Sequence, residues 1–114
     1  MKKIILVLML LPGWVSGGEW VELAPNDLLQ YELIQKNAFS FADEGLYVRH
    51  KSRFTFANQL QCSKKEFIVF TDEKMADRAL SSLLFAMSTS RTLKFYVNGC
   101  TNDYPLAVSI MVKN

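Results

Sequence analysis

The chain has one histidine and two cysteines in 114 residues, and glycine and proline are sparse at five and three. Each shortage removes a class of function. One histidine and two cysteines do not make a zinc site. Covalent catalysis needs a nucleophile, a base and an orienting group held together. The only histidine available as a base, His50, lies in the basic run Arg49-His50-Lys51-Ser52-Arg53. The carboxylate pairs Asp43-Glu44 and Asp72-Glu73 are accounted for as a turn and a helix cap. There is no glycine-rich phosphate loop, no metal-spaced cluster, no repeat and no low-complexity segment. The reading is a protein that is not an enzyme and uses no cofactor and no metal.

Long apolar runs are also missing. The one hydrophobic stretch, IILVLMLLPGWV, is interrupted by Pro12 and Gly13 and is too short to span a bilayer comfortably. With MKK before it and VSGG after it, it reads as a secretory signal over residues 1–18, cut after Gly17 or Gly18. An uncleaved anchor is the alternative. Residues 19–114 then form a single domain, with no membrane span after cleavage. Losing Lys2 and Lys3 leaves eleven basic against eleven acidic residues. No global basic field therefore points to nucleic acid, and an intracellular nucleic-acid partner is not expected.

An exported chain meets an oxidising compartment, so Cys62 and Cys100 read as one disulfide, with two free buried thiols as the alternative. Closing a loop of about 39 residues contributes roughly 4 kcal/mol by the chain-entropy argument.

The best-defined stretch runs from Thr71 to Cys100. Ala76, Ala79, Leu80, Leu83, Leu84 and Met87 recur at helical spacing, Thr71 or Asp72 can cap the start, and Ser88-Thr89-Ser90 ends the helix. Arg78, Ser81 and Ser82 share the polar face with Phe85, which is either a single exposed apolar residue or an aromatic that packs against a second subunit. Leu93, Phe95 and Val97 then alternate with polar residues as a half-buried strand, and Asn98-Gly99 is expected to turn the chain.

Elsewhere, Glu19 to Leu23 can form a first strand, and Pro25-Asn26-Asp27 a turn. Tyr31 to Phe41 alternates as a long strand, with Tyr31, Leu33, Phe39 and Phe41 on one parity. Ala42-Asp43-Glu44-Gly45 is the expected hairpin turn into a return strand through Arg53. Phe67 to Phe70 is a short apolar strand, and Leu106 to Val112 the last one. The order predicts an α+β, mostly β fold. It is OB-fold-like, a five-stranded antiparallel barrel with one helix between strands 3 and 4, and a small α+β sandwich is the alternative.

Three segments carry a family resemblance. They are Gln61-Cys62 through Phe67-Ile68-Val69-Phe70, the helical run Ala79 to Ala86, and Leu93 to Cys100 followed by Tyr104-Pro105. From about Glu32 onward the chain resembles the small exported OB-fold B subunits of bacterial AB5 toxins, of the subtilase-cytotoxin and pertussis-like types. The resemblance implies a secreted or periplasmic bacterial protein that binds cell-surface carbohydrate as a homo-oligomer, with five copies in a ring and helices lining the pore. It assigns no sugar-contacting residue. The residues themselves offer one patch, Arg49, Lys51 and Arg53 on one strand face beside Tyr47, which is either a solvated outer face or a surface suited to an acidic sugar, a lipid head group or an acidic partner protein. The competing function is a periplasmic protein-binding module, such as an inhibitor, immunity protein or assembly factor.

Overall fold

A computed structural model describes residues 18–57 and 60–114. The expected signal segment lies outside the described residues, apart from Gly18. The elements in order are β1 (Glu19–Leu23), a 3-10 turn (Pro25–Asp27), β2 (Leu28–Ile34), β3 (Gly45–His50), β4 (Phe67–Phe70), α1 (Glu73–Ser88), β5 (Thr92–Thr101) and β6 (Tyr104–Lys113). The fold is mostly β with one helix. The strands form one six-stranded sheet in the order β1-β5-β6-β4-β3-β2.

Two features differ from the expected five-stranded antiparallel barrel. There are six strands, because the 3-10 turn divides β1 from β2 and sends them to opposite edges. The sheet is also mixed, with β4 and β6 parallel at Val69 and Leu106 while the other neighbours are antiparallel. No ladder joins the two edges, so the sheet is open. The helix falls between β4 and β5.

Local chemistry explains the helix. The Asp72 carboxylate accepts the Met75 amide at 3.0 Å, satisfying an orphan donor of the first turn. At the other end Ser88 and Thr89 hydroxyls donate to the Phe85 carbonyl. Ser90 takes a positive φ, and the Arg91 amide returns to the Ala86 carbonyl at 2.8 Å. The buried line is Ala76, Ala79, Leu83 and Ala86. Leu84, expected inward, is 46 % exposed. The buried face is thus narrower than the apolar stripe and rotated toward Ala86.

The main core lies between the helix and one face of the sheet. Val21 and Leu23, Leu46 and Val48, Ile68 and Phe70, and Leu93, Phe95 and Val97 project into it, with Phe54 alongside. Their two-residue spacing is the pleat of half-buried strands. A second, smaller cluster on the opposite face joins Ile34, Ala42, Tyr47, Val69 and Tyr104.

The long strand expected over Tyr31 to Phe41 stops at Ile34. Phe39 and Phe41 stack on each other at 5.0 Å in the exposed loop that follows. Within β2 the buried residue is Ile34, in the second cluster, while Tyr31 and Leu33, paired with Val48 and Leu46, lie on the main-core face but stay exposed at the sheet edge. Gly45 opens β3 rather than closing a turn. Its φ is 151°, and a Cβ there would lie 2.1 Å from the Phe70 carbonyl oxygen. The turn expected at Asn98-Gly99 is an irregularity inside β5, with Gly99 at φ 85° and the register shifting between Val97 and Cys100. The chain reverses instead at Asn102-Asp103, both at positive φ, as a two-residue hairpin loop requires.

Candidate functional site

The patch expected at Tyr47, Arg49, Lys51 and Arg53 is only half assembled. Strand β3 ends at His50, so Lys51 and Arg53 leave the pleat and stand exposed in the following bend. They share no strand face with Arg49. Tyr47 is not a surface platform either. It is 3 % exposed, and its hydroxyl donates to the Asp43 carbonyl at 2.8 Å. Burial, reinforced by the nearby Asp43 charge, pushes the phenol from 10.0 up to about 12.

Arg49 keeps a place in a site, with different neighbours. Its guanidinium lies 5.3 Å from the Phe67 ring centroid. Phe67 meets Tyr104 edge-on at 5.2 Å, and Tyr104 meets Tyr47 edge-on at 5.0 Å. The Lys64 ammonium sits over Tyr104 at 4.2 Å. Two cations therefore rest on a chain of three aromatics across β3, β4 and β6. The Arg49 Nε is buried with no hydrogen-bond partner among the described residues. Sequence reasoning missed Lys64, Phe67 and Tyr104. The available signal was parity: Phe67 and Val69 alternate with Ile68 and Phe70, so a strand feeding the core must send Phe67 to the other face.

Covalent and polar ties position Lys64. Cys62 and Cys100 are bonded, with Cα atoms 5.6 Å apart. Beside them the Ser63 amide donates to Asp103 Oδ1 at 3.0 Å and the Ser63 hydroxyl donates to Asp103 Oδ2. These donors hold the Asp103 carboxyl below the usual carboxylate range. The Lys64 amide then donates to the Asp103 carbonyl at 3.2 Å. The segment before β4 is thus fastened to the β5–β6 hairpin.

His50 is engaged in local structure. Its Nδ1 accepts the Ser52 amide at 3.0 Å, its ring meets Phe54 edge-on at 5.0 Å, and Nε2 lies 3.8 Å from Asp27. The two acidic pairs come together around one open cleft of about 700 Å³, between the loop after β2, the start of α1 and Asn102. Asp72 caps the helix and Asp43 accepts the Thr101 hydroxyl at 2.6 Å. Among the described residues no group of three or more His, Cys, Asp or Glu is placed to hold a metal ion. No helix among them is long and apolar enough to cross a membrane.

On α1, Arg78 and Ser81 are exposed, Ser82 is half-buried, and Phe85 is 48 % exposed with the Arg91 guanidinium 5.3 Å from its ring. No family model, curated protein or solved structure matches this chain.

Proposed function

We propose that this chain is an exported, non-catalytic module of OB-fold topology that binds acidic carbohydrate on its β3–β4–β6 face and acts as a homo-oligomer. The topology reading rests on chain order. Taken as one bent strand, β1 and β2 reduce the count to five, put the helix between the third and fourth, and leave a single segment serving both edges of a rolled sheet. OB-folds hold oligosaccharides and oligonucleotides on the face of their second and third strands. Here those strands are β3 and β4.

The observation that carries the ligand reading is the pair of cations stacked on Phe67 and Tyr104. Neither Arg49 nor Lys64 makes an ion pair among the described residues. A carboxylate can take the guanidinium and ammonium together, while the aromatic floor meets the carbon face of a sugar ring.

Two open strand edges support the oligomer. Strand β2 exposes Leu29, Tyr31 and Leu33, the last at 55 %. Strand β6 is paired to β4 at Leu106 alone, and exposes Val108 and Met111 beyond it. Long apolar edges are normally covered. Joining β2 of one copy to β6 of the next is a head-to-tail contact, the kind from which rings are built when the rotation closes. The resemblance to B subunits gives five copies and turns Arg78, Ser81, Ser82 and Phe85 toward the pore.

Light scattering of the oxidised chain, with a glycan array, tests the reading. The expected result is a multiple of the subunit mass and retention of acidic glycans. Arg49→Gln with Lys64→Gln should weaken that retention roughly tenfold or more. A monomer without acidic-glycan signal refutes it. The apolar row on β2 also favours a second reading, in which a partner protein adds a strand to this edge. A monomer that co-purifies with one stoichiometric protein from the periplasm would establish that one.

A further inference from the structure

We infer that Asn98 is a site of spontaneous covalent modification, losing its side-chain amide to become aspartate or isoaspartate while the chain stays folded. The reaction runs between sequence neighbours. The Gly99 amide nitrogen, having given its proton to base, attacks the Asn98 side-chain carbonyl carbon Cγ. A bond forms between that nitrogen and Cγ, and the bond from Cγ to the side-chain nitrogen breaks. The side-chain nitrogen takes back a proton and leaves as ammonia. Water then opens the cyclic imide at either carbonyl. One opening gives aspartate, and the other gives isoaspartate, in which the main chain runs through the side-chain carbon. Nothing is oxidised or reduced, and water is the only co-reactant.

Among the asparagines followed by another residue, Asn98 alone precedes a glycine. Asn37 precedes Ala38, Asn58 precedes Gln59, and Asn26 and Asn102 precede aspartates. A Cβ on the following residue crowds the attacking nitrogen, and a carboxylate there disfavours the amide anion. Gly99 brings neither.

A regularly paired strand blocks this step, because bringing the amide nitrogen onto Cγ makes the main chain leave its extended conformation and give up ladder bonds. At Asn98 the ladder is already interrupted. Val97 pairs with Ala107 and Cys100 with Pro105, so Asn98 and Gly99 stand opposite Leu106, two residues against one. On the other side of β5, the ladder with β1 ends at Glu19 and Val97. Asn98 and Gly99 are both exposed, Gly99 has a φ of 85°, and a Cβ there would meet nothing within 4 Å. The flanks are held fast. Val97 is buried in the core, Cys100 is bonded to Cys62, and the Gly99 carbonyl oxygen lies 3.4 Å from Cys62 Sγ. The same irregularity accommodates the product. Isoaspartate adds a carbon to the main chain, which would upset a regular register, but here the register is already broken. From Glu19 on, the chain holds eleven acidic and eleven basic residues, so the new carboxylate makes it net negative.

The inference stands apart from the carbohydrate reading, and its test involves no ligand. The whole oxidised chain is incubated at neutral and at mildly alkaline pH, beside Asn98→Gln and beside wild-type chain held unfolded in guanidinium. Peptide mapping by mass spectrometry locates each amide-to-acid conversion, and anion exchange follows the added negative charge. Conversion at Asn98 is expected to run roughly tenfold or more faster than at any other asparagine, to accelerate with pH, and to proceed in the folded chain within about tenfold of its unfolded rate. In Asn98→Gln the early acidic species should be gone. A folded rate further below the unfolded one overturns the inference, because the sheet would then protect the pair. So does conversion no faster at Asn98 than at another asparagine, or an early acidic species that survives in Asn98→Gln. Circular dichroism melts confirm that the variant and the incubated wild type are folded before they are scored.

Discussion

The outer surface of the sheet carries aromatic pairs in two places, and their conditions are opposite. On β3 and β6, Tyr47 and Tyr104 meet edge-on at 5.0 Å and are both buried. On β1 and β5, Trp20 and Tyr96 meet edge-on at almost the same distance, and the larger ring is open to solvent. Residue type does not separate them. Neighbouring chain does. Ala42 and the Asp43 carbonyl reach Tyr47, and Lys64 covers Tyr104. For Trp20 the Lys94 ammonium lies over the ring, 5.6 Å from its centroid, and the indole stays 41 % exposed. An aromatic on a sheet face joins a core where a loop crosses it and stays open to solvent where none does.

The largest effect should come from cutting the tie that holds the covered region. Cys62→Ser or Cys100→Ser should lower stability by about 2–5 kcal/mol in urea unfolding. Amide exchange should accelerate most from 62 to 67 and around Tyr104, and least in β1. Equal acceleration at Trp20 would erase the distinction between the two regions. Next, Tyr47→Phe should cost about 1 kcal/mol through the lost bond to Asp43.

The same substitution bears on alkaline pH. The fold favours the neutral Tyr47 phenol, whose pKa is about 12 against 10.0 ordinarily. Its contribution is complete below about pH 10 and is lost as pH rises through about 12. Tyr47→Phe should therefore remove part of the alkaline decline, read by thermal melts across that range.

Asp103 gives a smaller effect of opposite sign. Its carboxyl is held low by Ser63, so its contribution is present above the ordinary carboxylate range and is lost as pH falls through the lowered value. Asp103→Asn should flatten the acid limb of the stability profile. A comparable or smaller effect is expected at the more open pair. Trp20→Ala should lower stability by about 1 kcal/mol, the worth of its edge-on contact with Tyr96 and of the ammonium over its ring. A loss of several times that would show Trp20 to be packed.

What the sequence made legible follows the same division between local and distant causes. Helix α1 was readable from Asp72 onward because its cap and stripe lie within a few residues of each other. The core parity of Leu93, Phe95 and Val97 was readable for the same reason, and the disulfide followed from having two cysteines and no third. The end of β2 was not readable. Phe39 and Phe41 continue the alternation of a strand, yet they are loop residues that stack on each other. The basic patch failed because alternation through Arg53 assumed a strand that stops at His50. Lys64 reaches Tyr104 through Ser63 and Asp103, across 40 residues of chain, and no local pattern announces it.

Strand β6 is the last element along the chain, yet it lies third in the sheet, between β5 and β4. Before residues 104–113 are in place, the molecule has a β1–β5 ribbon and a β2–β3–β4 ribbon with a gap where its centre belongs. A chain without residues 104–113 therefore lacks the strand through which its two ribbons are joined into one sheet.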